Sequence, residues 1–394
     1  MLVGCGGDES GQDRSIATQA DGHTHTHPPS EPDFALLDAS FTSDAGDAGV
    51  SDGGYVWNLP RGFPPPAVPA DNPMSRAKVE AGRHVFYDKR LSDNQTFSCA
   101  SCHKQELAFA ESLPVSLGST GQKNTRGAMS LANTAYSPTL TWANPKQTTL
   151  EHQAQVPIFG DAPVELGMKA PDEVEQRFRA VPRYVELFAA AFPDDAQPIT
   201  MDNVAKALAS FERTLISGSS PHDRWQAGDE SAVDESAKRG YELFNSEKME
   251  CFHCHSGFNF SDHVTWQGQA FASTPYHNTG LYDVDGLGNY PAPNRGVYEQ
   301  TLKERDMGMF KAPTLRNIAL TAPYMHDGSI ATLGEVLDHY AAGGRKRSRR
   351  TDPLLVGFVL TAQERADMLA FLESLTDDNF LKNPSFADPW VPVP

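Results

Sequence analysis

The sequence predicts a mainly α-helical protein of two similar helical units with long irregular loops, preceded by a disordered tether. Three observations predict it. A helical pattern with a small residue and then an aromatic occurs twice. It appears over residues 74–88, with Ala77-Lys78, Gly82 and Phe86, and over residues 232–245, with Ala237-Lys238, Gly240 and Phe244. Each copy runs into the same signature, Cys-x-x-Cys-His, once as Cys99, Cys102 and His103 and once as Cys251, Cys254 and His255. Residues 6 to about 56 are rich in Gly, Asp, Ser, Thr and Ala and poor in core formers.

At 394 residues the chain can bury two or three cores. The expected division is a tether over 1–59, a first helical domain carrying one signature over 60–216 and a second carrying the other over 217–394. No apolar run is long enough to span a membrane. The net charge of −18 argues against nucleic-acid binding. The first 54 residues hold ten Asp or Glu against one Arg, so the body is only mildly acidic.

The elements follow in order. Leu2-Val3-Gly4-Cys5-Gly6 resembles a bacterial lipobox, which implies a lipid anchor on Cys5. The basic and apolar stretch that normally precedes such a site is absent, so the expected start lies upstream of Met1. His23, His25 and His27 alternate in the tether and read as a solvated spacer rather than a metal site. Residues 60–73 form a stiff, Pro-rich lead-in. In the 74–88 helix, Asp71 or Ser75 supplies the cap, and Val79, Gly82, Val85 and Phe86 supply the apolar stripe. Residues 172–180 and 183–192 read as helices separated by Pro182. Residues 202–216 are amphipathic, with Val204, Ala207, Leu208, Phe211 and Leu215 on one side. Residues 217–231 read as a linker. A loop-rich segment then runs to about residue 310, expected to be held by the prosthetic group rather than by its own hydrogen bonds. Helices over 332–342 and 361–375 close the chain, and β content is minimal.

Cys-x-x-Cys-His is the attachment signature of a c-type haem: the thiols add to the vinyl groups and the histidine becomes the proximal ligand. One zinc site built from all four cysteines would leave His103 and His255 without a purpose. With Cys5 set apart, no cysteine remains for a disulfide. Covalent haem attachment happens outside the cytoplasm, so the motifs imply a periplasmic or cell-envelope protein independently of Cys5.

Further words occur in fixed order. They are Gly82 with Phe86-Tyr87-Asp88 and Arg90-Leu91-Ser92; Leu150-Glu151-His152-Gln153 with Pro157 and Pro163-Val164-Glu165-Leu166-Gly167; Ala209-Ser210-Phe211-Glu212-Arg213; Phe310-Lys311-Ala312-Pro313-Thr314-Leu315-Arg316-Asn317; and Thr321-Ala322-Pro323-Tyr324-Met325-His326-Asp327-Gly328. With the two haem signatures, they make residues 60–380 resemble the bacterial di-haem cytochrome c peroxidase and MauG superfamily. Arg126-Gly127-Ala128-Met129-Ser130, with Leu140-Thr141-Trp142-Ala143-Asn144-Pro145, is similar to its MbnH-like branch, the di-haem partners of MbnP-type copper proteins.

The resemblance implies two unequal haems. The haem on His103 should be five-coordinate and meet peroxide. No histidine occurs between Lys104 and Glu151, where ordinary cytochrome c peroxidases keep a blocking ligand. Gln153, Pro157 and Glu165 match the distal pocket. A carboxyl group there moves a proton between peroxide oxygens, and an amide orients the peroxide. Two extra residues lie between Pro157 and Glu165 relative to the peroxidase pattern.

The haem on His255 needs a sixth ligand. Peroxidases supply a Met fourteen residues after the histidine of Tyr-x-His-x-Gly. Counting from His326 gives Tyr340, as in MauG-like enzymes. Without the resemblance, Tyr340 reads as an amphipathic core residue. Met307, Met309 and Met325 are rival ligands, and His339 reads as surface or second to the ligand. Trp142 matches the tryptophan between the two haems. Thr321 and Pro323 match backbone ligands of an inter-haem calcium, with the third position aligning near Gly127. Met249 stands where MauG has a surface tryptophan, which leaves Trp266 or Tyr241 as charge carriers. The basic run Arg345-Lys346-Arg347-Ser348-Arg349-Arg350 docks an acidic partner, faces propionates, or is a solvated loop.

The function so implied is a di-haem oxidoreductase. It uses hydrogen peroxide to reach a high-valent, bis-Fe(IV)-type state that oxidises a residue of a partner protein, tryptophan to kynurenine on an MbnP-like copper-binding protein. The alternatives are a cytochrome c peroxidase reducing peroxide with a small electron donor, and a non-enzymatic electron-transfer cytochrome. Neither nucleic acid nor membrane is expected as a partner, apart from the N-terminal lipid anchor.

Overall fold

The computed structural model describes residues 50–52 and 55–391. Cys5, the tether histidines and most of the tether lie outside these residues. At the described end of the tether, β1 (Val50–Asp52) pairs antiparallel with β2 (Tyr55–Trp57), with Val50 opposite Trp57. This hairpin is the one sheet among the described residues. Trp57 is buried.

Helix α1 (Arg76–Tyr87) begins at Ser75, whose hydroxyl accepts from the Lys78 N–H. Hydroxyl caps of this kind satisfy a donor the helix itself cannot. Helices α2 (Leu150–Phe159), α3 (Pro171–Arg179), α4 (Pro182–Ala191) and α5 (Met201–Arg213) follow. Helix α2 is not apparent in the sequence, because Pro157 sits inside it. The expected linker holds a short helix, α6 (Pro221–Gln226). It is fixed by a Ser220/Asp223 capping box and by the Arg316–Asp223 ion pair at 2.8 Å. Then come α7 (Glu235–Phe244), α8 (Tyr298–Thr301), α9 (Leu333–Ala341), α10 (Ala362–Ser374) and α11 (Asp378–Leu381).

The repeated glycines explain the repeated pattern. A Cβ on Gly82 would collide with the Ala207 carbonyl of α5. A Cβ on Gly240 would collide with the Asp367 carbonyl of α10. In each half a helix leading to a haem signature crosses a second helix backbone to backbone, and only glycine leaves room. The aromatics four residues on, Phe86 and Phe244, are buried beside these crossings. Ala at either position gains helix propensity but overpacks the crossing. Gly82→Ala and Gly240→Ala are each expected to lose about 1–3 kcal/mol of stability, read as a lowered thermal midpoint. A stabilised Gly82→Ala variant would contradict the crossing.

The two largest hydrophobic clusters among the described residues form around these crossings. The first joins Val85 and Phe86 of α1, Phe178 of α3, Tyr184 and Phe188 of α4, and Phe211 of α5. Phe380 and Phe386 return from the C-terminal end to this cluster. The second joins Phe244, Phe260, Leu337, Met368 and Phe371. Met249 belongs to it and is 6% exposed, so the position of MauG's surface tryptophan is buried in this chain.

The loop-rich segment makes hydrogen bonds of its own, which the sequence reading did not expect. His277 and Phe310 exchange backbone bonds at 2.8 and 2.9 Å, and the Asn278 amide donates to the Met307 carbonyl at 2.9 Å. Among the described residues no helix is long and apolar enough to cross a membrane.

Candidate active site

Each Cys-x-x-Cys-His folds as a single 3-10 turn, Cys99–Ser101 and Cys251–His253. His103 N–H donates to the Cys99 carbonyl at 2.9 Å and His255 N–H to the Cys251 carbonyl at 3.0 Å. The turn therefore gathers two thiols and an imidazole into one short stretch. The four thiols form no disulfide. Both signatures line a single cavity of about 730 Å³.

The histidines are oriented alike. His103 Nδ1 lies 2.7 Å from the Phe109 carbonyl, and His255 Nδ1 lies 3.0 Å from the Phe260 carbonyl. A carbonyl can only accept, so Nδ1 carries the proton and Nε2 keeps its lone pair, the form that binds metal. Burial lowers both imidazole pKa values and keeps them neutral. Paired thiols and a neutral imidazole on the wall of a large cavity fit a covalently attached haem, and the arrangement occurs twice.

The remaining expected site residues line the same cavity: Gln153, Pro157, Glu165, Trp142, Tyr340, Thr321 and Pro323. Gln153 and Pro157 lie one helical turn apart on α2, hence on one face. Beyond α2 the chain folds back along it, with Leu166 N–H on the Pro157 carbonyl at 2.9 Å and Met168 N–H on the Ile158 carbonyl at 2.9 Å. Between Pro157 and Glu165 the chain makes a turn closed by an Asp161–Val164 bridge, and Glu165 lies on the cavity wall.

Glu165 is half-buried. Its carboxylate accepts from the Asn124 amide at 2.9 Å. The Asn124 oxygen is already taken by the Thr125 N–H at 2.7 Å, so the amide's orientation is fixed. Burial raises the Glu165 pKa above the ordinary carboxylate range, the Asn124 hydrogen bond pulls it down, and the Glu111 charge adds to the rise. Glu111 is buried, accepts from Ser116 Oγ, and also accepts from the Ala128 N–H at 3.2 Å.

Trp142 stands where two distant segments meet. Its indole N–H donates to the Gly127 carbonyl at 2.9 Å, and its own carbonyl accepts from the Lys311 N–H at 3.1 Å. Gly127 N–H donates in turn to the His326 carbonyl at 3.2 Å. Tyr340 is in the last turn of α9, and its hydroxyl makes no hydrogen bond among the described residues. Burial raises the phenol pKa, and the Cys254 and Cys251 thiols add to the rise. Of the rival ligands, Met325 lines the cavity, while Met307 and Met309 do not. His339 is 1% exposed, so it is not a surface residue; its Nδ1 accepts from the Arg345 N–H at 3.2 Å. Trp266 packs on Phe258 and Tyr241 on Phe371, and neither lines the cavity.

Sequence reading missed Asn124, Glu111, Glu212 and Lys311. Glu212 and Lys311 lay in matched words, but lone charged residues in a motif do not announce burial. Glu212 lines the cavity with one carboxylate oxygen unpartnered, and burial pushes its pKa up to about 8. Lys311 donates to Ser137 Oγ and to the Thr139 carbonyl, both at 3.0 Å, and burial pushes its pKa down to about 7.

Comparison with known proteins agrees with this geometry. Residues 76–231 match the family described as di-haem cytochrome c peroxidase. The chain is 36% identical over 337 residues to the methylamine utilization protein MauG of Methylorubrum extorquens, covering 86% of this chain and 88% of that one. It is 31% identical over 321 residues to cytochrome c551 peroxidase of Pseudomonas aeruginosa, covering 82% of this chain and 84% of that one. A crystal structure described as a MauG-like protein associated with microbial copper homeostasis superposes with a TM-score of 0.83 at 48% identity, covering 86% of this chain and all of that one. The chain belongs to the di-haem cytochrome c peroxidase family and is a peroxidase-type oxidoreductase carrying two covalently bound c-type haems.

Proposed function

We propose that this protein uses hydrogen peroxide to oxidise a residue of a partner protein, converting tryptophan to kynurenine on an MbnP-like copper-binding protein. The observation that carries the reading is Tyr340, a tyrosine rather than a methionine, lining the cavity with Cys251, Cys254 and His255. The copper association of the MauG-like relative supports a copper protein as partner. Covalent haem attachment supports a periplasmic or cell-envelope location, with Cys5 as lipid anchor.

The bound haems supply peroxide reduction and the storage of oxidising equivalents. The chain's own residues do the rest. His103 and His255 would hold the two irons through Nε2, the nitrogen left free by the Nδ1 hydrogen bonds. Glu165, fixed by Asn124, accepts a proton from the near peroxide oxygen and delivers one to the far oxygen, so that water leaves. Gln153 orients the peroxide from the same face of α2 as Pro157. Trp142 bridges the two halves and passes charge between them. Tyr340 would serve with His255 as a ligand of the second iron. The backbone carbonyls of Thr321 and Pro323 are candidate ligands for a calcium ion at the junction.

The chemistry on the partner balances. Two peroxides convert tryptophan to N-formylkynurenine with release of two waters. Hydrolysis of the formyl group then gives kynurenine and formate. The test is mass spectrometry of an MbnP-like copper protein after incubation with the holoenzyme and peroxide. A kynurenine that appears only with all three components is the expected result. Peroxide consumed by a small electron donor, with the partner unmodified, would instead make the protein a plain cytochrome c peroxidase.

A further inference from the structure

The run Arg345–Arg350 has no place in the site described above. Arg345, Lys346, Arg347 and Arg349 are all exposed. Arg350 pairs with Glu304 at 2.6 Å, but no carboxylate among the described residues lies within ion-pair distance of the other four cations. They stand together on a chain whose net charge is −18.

Backbone and hydroxyl groups fix the loop that carries them, and Arg345 adds a hydrogen bond to the Ser329 carbonyl at 3.1 Å. Gly344 N–H donates to the His339 carbonyl at 2.9 Å, Lys346 N–H to the Gly280 carbonyl at 2.8 Å, and Ser348 N–H to Thr351 Oγ1 at 2.9 Å. Four like charges on one loop repel one another, and none of them is offset by a carboxylate among the described residues. Their field is free to act on something outside.

The same loop is joined to an apolar strip. Arg347 donates to the Val356 carbonyl at 3.3 Å. Val356 is 61% exposed, Leu354 41% and Val359 83%. The segment has a second role on its inner side. Leu354, Val356 and Phe358 line the cavity shared with Tyr340, and Phe358 N–H donates to the Ala341 carbonyl at the end of α9 at 3.0 Å. One stretch of chain therefore separates the second haem site from solvent. Electron transfer falls steeply with distance, so a partner protein gains most by docking over so thin a wall. An apolar centre beside a one-signed charged rim suits a brief, steered encounter.

We infer that residues 345–359 form the docking face on which an acidic redox protein exchanges electrons with the second haem site. The inference rests on the reading above, in which oxidising equivalents leave that site for a partner protein. It adds the partner's chemistry: a carboxylate-rich surface around an apolar contact.

The test uses the fully haem-loaded protein, reduced and mixed rapidly with three oxidants. These are ferricyanide, an anion; tris(phenanthroline)cobalt(III), a cation; and plastocyanin, an acidic copper protein. Each takes one electron from a ferrous haem, leaving ferric haem and the reduced oxidant. Two charge-reversed variants are compared with the parent. Lys346→Glu/Arg349→Glu changes only side chains that make no hydrogen bond among the described residues. A second variant adds Arg345→Glu and Arg347→Glu.

At low salt, oxidation by ferricyanide and by plastocyanin is expected to slow by about tenfold or more in the variants, and oxidation by the cobalt complex to quicken. These differences should vanish at high salt. Rates for all three oxidants within twofold of the parent overturn the inference. So does loss of binding to phosphatidylglycerol vesicles with unchanged oxidation rates, which would make the patch a membrane contact. The readout needs no peroxide. Charge-dependent rates without kynurenine on the partner would sink the proposed function and leave the docking face standing, and unchanged rates with kynurenine formed would do the reverse.

Discussion

Tyr340→Met is expected to abolish oxidation of the partner protein while both haems stay covalently attached. The substitution leaves Cys251, Cys254 and His255 untouched, and α9 keeps the Thr332/Glu335 capping box that fixes its start. What changes is the donor atom. A phenolate oxygen is hard and anionic and stabilises iron in its oxidised states, whereas a thioether is soft and favours ferrous iron. Within the protein alone, burial keeps the phenol protonated. An iron bound to the phenol oxygen would draw the proton off, so the proposed ligand role itself would make the tyrosinate. The variant should show a raised potential at the second haem in a spectroscopic redox titration, together with loss of kynurenine in the partner. Tyr340→Phe should also lose partner oxidation, without gaining the thioether's spectrum. Full partner oxidation by Tyr340→Met would sink the ligand assignment.

The second large effect is expected at Glu165. Glu165→Gln should slow the reaction with peroxide by about 10²–10⁴-fold, the range for losing a positioned proton-transfer group. The amide keeps the shape and can still meet Asn124, so the loss isolates the proton. The pH dependence gives a sharper test. The carboxylate form accepts the proton, so the rate rises as pH rises through the Glu165 pKa, which burial holds above the ordinary range. The Asn124 hydrogen bond favours the charged form, and the Glu111 charge opposes it. Asn124→Leu should therefore move the acid limb to higher pH, and Glu111→Gln should move it lower. Stopped-flow rates across the acid range decide the matter. Limbs that stay in place in both variants would show that Glu165 is not the titrating group.

Much of this protein was legible in its residues. Local signals are carried by neighbours in the chain, so the capped helices α1, α7, α9 and α10 appeared close to their expected bounds. The two Cys-x-x-Cys-His signatures needed no tertiary information, because the five residues that bind a haem fold as one turn. Less was legible where a contact joined distant segments. Asn124 and Glu165 are far apart in sequence and meet only because the chain folds back along α2. Helix α2 was hidden by its own Pro157, whose missing N–H the sequence cannot show to be tolerated there. His339 reads as a polar helix residue, yet the loop after α9 returns over it and buries it.

The sequence by itself determined the helical class, the duplication and the two haem attachments, since each rests on spacings within a few turns of chain. The reason for the glycine of each copy came only from tertiary structure, which brings the Ala207 and Asp367 carbonyls against Gly82 and Gly240. Tertiary structure decided that both signatures open into one cavity, that Tyr340 and Glu165 reach it, and that Met249 does not reach the surface. It also decided that four cations of one loop are exposed with no carboxylate among the described residues within ion-pair distance. These outcomes depend on which carbonyl, amide or ring arrives from elsewhere in the chain, and burial and charge pairing are properties of that arrival.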